Sequence, residues 1–231
     1  MLLAALLFLA ADPRFEVAAI KPAPPDQWNG SSGIKTGNGR MDAVNVTLKR
    51  CIMGAWGVGP HQIAGGPAWL DTERFEIAAK AADAAAGDAE IMRMLRVLLA
   101  ERFGLAVHTE TRTMPVLALE VAKGGPKLRA SAGGGGSTQS GRGVIDARGT
   151  TMAHLAEVLG RGMEAPVVDR TGLTGTYDLK LEWTPESRSA EPGSGPSLYT
   201  AIQEQLGLVL RARKQPMEVL VIDRAERPTE N

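Results

Sequence analysis

Cysteine is almost missing from this chain. Cys51 is the single one in 231 residues, which excludes an intramolecular disulfide and a cysteine-rich metal site. Its neighbours, Leu48-Lys49-Arg50 and Ile52-Met53, cast it as a small apolar residue on a helix. Histidine is nearly as scarce. His61, His108 and His154 are scattered, and none has a second His or a Cys three or four residues away, so neither a metal site nor a cofactor is expected. Net charge is missing too. Lys plus Arg and Asp plus Glu each number 26, so no global field draws the chain to nucleic acid or to an anionic membrane.

Long apolar runs are equally absent. The apolar stretch MLLAALLFLAA at residues 1–11 falls short of the about 20 residues that cross a bilayer as a helix, so no membrane span is expected in the mature chain. The stretch resembles the core and small-residue end of a secretory signal, without a basic start and with Leu9-Ala10-Ala11 in place of Ala-x-Ala. The alternative is a buried element at the start of a cytoplasmic protein. The expectation is export to the periplasm or beyond, with the true start upstream. Motifs for nucleophilic or phosphate chemistry are also lacking. There is no Gly-x-Ser-x-Gly, Gly133 to Gly136 has no Lys and Ser or Thr to hold phosphate, and Gly54-Ala55-Trp56-Gly57-Val58-Gly59-Pro60 follows a helix pattern rather than a strand. Asn29-Gly30-Ser31 and Asn45-Val46-Thr47 match the glycosylation pattern by composition alone.

What is present is an ordinary globular composition, 44% apolar and 23% charged, with room for one large domain or two small ones. It also repeats itself. Gly39-Arg40-Met41-Asp42-Ala43 with Thr47-Leu48 lies over Gly143-Val144-Ile145-Asp146-Ala147 with Thr151-Met152 at an offset of 104. Arg74-Phe75-Glu76-Ile77 lies over Thr176-Tyr177-Asp178-Leu179 at 102. Leu99 to Leu105 lies over Ile202 to Leu208, and Met114 to Glu120 over Met217 to Asp223, both at 103. Four blocks in one order at nearly one offset read as a tandem duplication. The expected organisation is a signal-like segment over 1–11, a first repeat over 12–123, a Gly/Ser-rich linker over 124–142 and a second repeat over 143–231. Residues 21–39 and 185–197 are expected to be irregular.

Each repeat carries the same local signals. An extended segment ends in a Thr that can cap a helix, at Thr47 in the first repeat and at Thr150 or Thr151 in the second. Alternating strands follow at Arg74 to Lys80 and Tyr177 to Trp183. Second helices, over Ala89 to Phe103 and Leu198 to Leu206, end at Gly104 and Gly207. Hairpins are then expected, with turns at Arg112-Thr113-Met114-Pro115 and Gln215-Pro216-Met217. The predicted fold is α+β, two tandem repeats each reading strand-helix-strand-helix-strand-strand, with helices on one face of a small mixed sheet.

Phe15-Glu16-Val17-Ala18-Ala19-Ile20-Lys21-Pro22, Gly65-Gly66-Pro67-Ala68-Trp69-Leu70 and Val168-Asp169-Arg170-Thr171-Gly172-Leu173-Thr174-Gly175, with the Leu99 to Phe103, Ala122 to Leu128 and Val219 to Asp223 blocks, resemble an uncharacterised family of soil-associated bacterial proteins. The resemblance runs from Phe15 to Asn231. It implies an exported protein, in some members fused behind a membrane sensor-peptidase domain, of no established activity. Each repeat is also similar in pattern to the periplasmic N-terminal modules of secretins and TonB-dependent receptors, a fold-level analogy that implies no function.

Chemistry is thin. His108 with Glu110 on a strand face and His154 with Glu157 on a helix face could each act as an acid–base couple, or be ordinary surface pairs. Asp169-Arg170-Thr171-Gly172 resembles the phosphorylated aspartate of P-type ATPases, but no downstream carboxylate pair follows to hold magnesium, and Gly172 and Gly175 suit a turn in which Asp169 and Thr171 bond nearby backbone. Trp56, His61, Trp69 and Leu70 form a candidate ligand or partner surface, because aromatics on loops are favoured at binding sites. The competing reading packs both tryptophans between helix and sheet. The expected function is therefore non-enzymatic, binding or assembly with an unidentified envelope protein or small ligand. The alternatives are a hydrolase-type enzyme, or a ligand sensor linked to a membrane peptidase, with a site between the repeats.

Overall fold

The computed structural model describes residues 12–28, 30–133, 136–141, 143–185 and 195–228. The signal-like segment and most of the 185–197 stretch lie outside the described residues. The described residues up to Glu110, with those from Val219 onward, form one compact unit, and Thr111 to Glu218 form another.

In the first unit β1 (Val17–Pro22), β2 (Gly33–Gly37), β3 (Arg40–Thr47) and β5 (Arg74–Lys80) form an antiparallel sheet in the order β1-β5-β3-β2. Alternation sets the buried face. Met41 and Ala43 of β3, and Phe75, Ile77 and Ala79 of β5, point into a core shared with α1 (Leu48–Trp56) and α2 (Asp88–Phe103), while Arg40, Asp42 and Lys80 face solvent. Thr47 caps α1, its hydroxyl accepting from the Arg50 N–H at 3.2 Å, as its position in the sequence predicts. β3 carries a bulge between Ala43 and Val46, where Asn45 adopts φ 55°. The buried Asn45 amide donates to the carbonyls of Trp28, Gly30 and Ser31 at 3.3–3.4 Å, pinning the proline-rich loop, so the glycosylation pattern at 45–47 is closed off by packing.

The second unit has an antiparallel sheet of β7 (Arg129–Ala130), β8 (Ser137–Gly141), β9 (Val144–Thr150) and β11 (Tyr177–Glu182), in the order β7-β11-β9-β8. Its core joins Ile145, Ala147, Leu179 and Leu181 to α3 (Met152–Gly160) and α4 (Leu198–Leu206). Thr151 caps α3, accepting from the His154 N–H at 3.2 Å. Gly104 and Gly207 close α2 and α4 in the left-handed conformation, at φ 54° and 66°.

A third sheet holds β10 (Val167–Asp169), β6 (Ala106–Val121), β12 (Leu208–Arg224) and β4 (Ile63–Gly65) in that order. β10 pairs in parallel with Leu117–Leu119 of β6, and β4 pairs in parallel with Leu220–Ile222 of β12.

Two expectations need correction. The hairpin turns at 112–115 and 215–217 do not form, because β6 and β12 run unbroken through them. Neither stretch has a Gly or Asn for the positive φ of a tight hairpin, no residue in either has one, and Pro115 and Pro216 hold φ in a range that suits extended chain. The irregular stretches are partly ordered: residues 33–37 form β2, and 129–130 and 137–141 form β7 and β8. At a sheet edge the backbone ladder supplies the pairing, so Gly and Ser suffice there. The element order in each half of the chain is therefore strand-strand-strand-helix-strand-strand-helix-strand, and parallel pairing is confined to the third sheet.

Candidate functional site

Trp56 ends α1 in the first unit, and His61, Trp69 and Leu70 lie between that helix and β5. Gly57 ends α1 in the left-handed conformation, and a turn at Pro60–Gln62 leads into β4. Gly65 and Gly66 then take φ 76° and 78°. A Cβ on Gly65 would sit 2.8 Å from the Ile222 carbonyl oxygen, and one on Gly66 would run into the Leu70 side chain. Only glycine lets this corner lie so close to β12. The short turn Ala68–Asp71 follows, tied to α1 by an ion pair from Lys49 to Asp71 at 3.0 Å.

This corner divides the four residues. Leu70 is core, 3% exposed. Trp69 is half-buried, stacked on Phe103 at 6.5 Å and meeting Phe75 edge-on at 6.4 Å. Its ring also carries the Arg227 guanidinium at 5.4 Å, and Arg227 is held by a two-pronged bond to Glu73 at 2.6 and 2.9 Å. The pair with Glu73 holds the Arg227 pKa above its ordinary value. Trp56, half-buried against the same core, has its own arginine: Arg96 lies 5.3 Å over the ring and donates to the Ala55 carbonyl at 2.7 Å. His61 is half-buried in the turn before β4. Each of these two tryptophans thus packs against the core and carries a cation over its ring, a contact worth about 0.5–1 kcal/mol at exposed sites.

One cluster escaped sequence reasoning. His108 Nδ1 lies 2.9 Å from both carboxylate oxygens of Asp223, and Nε2 lies 4.0 Å from Glu110. Shared strand parity points to Glu110, but Asp223 is 115 residues away and arrives only because β12 lies beside β6. On α3, Glu157 receives Arg161 at 2.6 Å and His154 at 3.4 Å. The bond from Arg161 is the main reason its carboxyl lies below the ordinary range. Asp178 is likewise held low, first by the Gly149 N–H it accepts at 2.9 Å. Burial pushes the Cys51 thiol up to about 12, which makes it inert as a nucleophile.

Asp169 ends β10, and its side chain braces the turn that follows. Its carboxylate accepts from the Thr171 N–H at 2.9 Å and the Thr171 hydroxyl at 2.8 Å, and the Leu173 N–H donates to the Thr171 hydroxyl at 3.1 Å. Among the described residues no group of three or more His, Cys, Asp or Glu is placed to hold a metal ion, and no helix is long and apolar enough to cross a membrane. No curated protein and no solved structure matches the chain. A family profile does match, over residues 49–225, which span α1 to the end of β12. The chain belongs to the family described as Protein of unknown function (DUF3738).

Proposed function

We propose that the protein is a non-enzymatic binding or assembly module that acts outside the cytoplasm and is built from two duplicated copies of one α+β unit. The observation that carries this reading is what the corresponding positions do. Thr47 and Thr151 cap helices, Gly104 and Gly207 end them, and Gly39 and Gly143 both take positive φ where a Cβ would strike backbone. The recurring residues serve the fold, and reactive side chains do not recur with them. Departures from the pattern mark function. Trp56 and Trp69 have no tryptophan counterpart in the second copy's corner, so the ligand or partner surface is assigned to Trp56, His61 and Trp69 with Leu70 beneath. Export rests on the apolar segment at 1–11. The test is capture of partners from the native envelope with tagged protein, beside a panel of ester, peptide and phosphate substrates. Turnover that one polar substitution abolishes would sink the reading.

The His108–Asp223 pair favours a second reading, that of an enzyme. A carboxylate that orients an imidazole is one half of a general-base arrangement. Under this reading His108→Ala removes a measurable hydrolysis, and under the first it leaves the panel unchanged.

A further inference from the structure

β12 has β6 along one side and β4 along the other, but β4 covers only Leu220–Ile222. Over Leu208–Met217, in the second unit, no described strand lies on that second side. The strand meets solvent there: Arg211, Ala212, Arg213 and Lys214 are four exposed residues in succession. Alternation puts Arg211, Arg213 and Gln215 on one face, at intervals of about 7 Å. Glu120 lies against that row and accepts from Arg211 Nε at 3.1 Å and from Arg213 Nη2 at 3.0 Å. Arg170, the residue after β10, brings a third guanidinium and donates to the Gln215 amide oxygen at 2.9 Å. Three anchored cations thus share one carboxylate, and the side-chain partner of Arg170 is neutral. Arg211 and Arg213 still keep 54% and 55% of their side-chain surface exposed.

An edge strand offers unpaired N–H and C=O groups to any extended segment that can lie beside it. Charge decides which segment does so. A cationic edge repels a second cationic strand, and with it another copy of itself. An acidic segment is matched, because side chains at alternate residues of an extended chain recur at the same spacing of about 7 Å. Guanidinium forks also grip carboxylates with two N–H donors each. Glu120 shows how one such carboxylate fits against Arg211 and Arg213. We propose that the outer edge of β12 over Leu208–Met217 docks an extended acidic segment of a partner protein, its carboxylates received by Arg170, Arg211 and Arg213. This surface lies in the second unit and uses none of the residues of the tryptophan corner.

The test measures binding of the full chain to a fluorescein-labelled peptide that alternates Glu and Thr, with the matching Gln-Thr peptide, inorganic phosphate and phosphatidylglycerol vesicles as controls. The Glu peptide binds and the controls do not. Arg170→Gln, which gives up only a neutral partner, melts like the parent chain and weakens binding about three- to fivefold, the scale of one exposed ion pair. Adding Arg213→Gln weakens it about as much again. Glu120→Gln acts the other way, because losing the internal competitor frees both forks, and binding tightens by about that same factor. Amide exchange in a peptide covering 208–217 slows in the complex. Trp56→Ala leaves the affinity unchanged, so the two surfaces are tested separately. Equal affinity for the Gln peptide overturns the proposal, as does an Arg170→Gln chain that binds like the parent, a Glu120→Gln chain that binds no tighter, or a complex without protection at 208–217. Capture of phosphate or vesicles in place of the Glu peptide, or loss of peptide binding in Trp56→Ala, overturns it as well.

Discussion

Leu119 and Leu220 separate the chain's order in sequence from its order in space, and a pair of alanine substitutions reads the difference. Leu119 belongs by sequence to the first half, but it is fully buried among Ile145, Met152, Leu155, Ile202 and Leu206 of the second unit. Leu220 belongs to the second half and is buried with Met41, Leu95, Leu99 and Phe103 of the first. Removing a buried leucine to alanine costs about 2–5 kcal/mol, transfer and cavity terms together. That corresponds to an increase in opening of about 30-fold to several thousand-fold. Amide hydrogen exchange resolves where the opening occurs. Leu119→Ala should accelerate exchange by that factor in peptides covering 152–160 and 198–206. Leu220→Ala should act in peptides covering 48–56 and 88–103. The opposite assignment, with Leu119→Ala loosening α1 and α2 first, would refute the strand assignments.

Further outcomes follow from single contacts. Gly57→Ala should cost about 1 kcal/mol in denaturant melts, the left-handed penalty alone, because no atom lies within 4 Å of its added Cβ. Gly207→Ala should cost about 3 kcal/mol, since overpacking against the Gly125 carbonyl adds to that penalty. Thr47→Ala and Thr151→Ala should each lose about 1 kcal/mol of cap stabilisation and add in the double variant. Glu157 has a depressed folded pKa, so its contribution is present above the ordinary carboxylate range and lost as pH falls through the folded value. The contribution is small at this exposed site. An NMR titration should show the Glu157 midpoint rise towards the ordinary value in Arg161→Ala. Cys51, with its thiol near 12 and 1% exposed, should resist a thiol reagent at pH 8 in the native chain and react at once in denaturant.

The parts of this fold that depend on near neighbours were legible in the sequence. Thr47 and Thr151 announce helix starts, Gly104 and Gly207 announce helix ends, and the alternation of Tyr177, Leu179 and Leu181 announces a half-buried strand. Each of these signals arises from contacts within about one helical turn or one strand pleat. The same locality settles Asp169, whose partner Thr171 is two residues away. The arginines that cover the tryptophans were not legible. Arg96 reaches Trp56 from 40 residues on in another helix, and Arg227 reaches Trp69 from beyond β12. No periodic pattern encodes such pairings.

The hairpin error has a different origin. Met114-Pro115 and Pro216-Met217 each interrupt two β-rich runs, and in a single sequence an interruption reads as a reversal. A reversal, however, needs residues that turn, and Arg112 to Pro115 and Gln215 to Met217 contain none with positive φ. Proline without glycine or asparagine beside it marks a stretch that stays extended at least as well as one that folds back. Such a stretch delivers its second half to whichever sheet has an open edge. Here the edges that receive them are β4 and β10, three residues each and too short to persist without a neighbour. The chain holds two such edges and two such segments, and because neither segment turns back, each pairs with the edge that lies on the other side of residues 124–142 in the sequence.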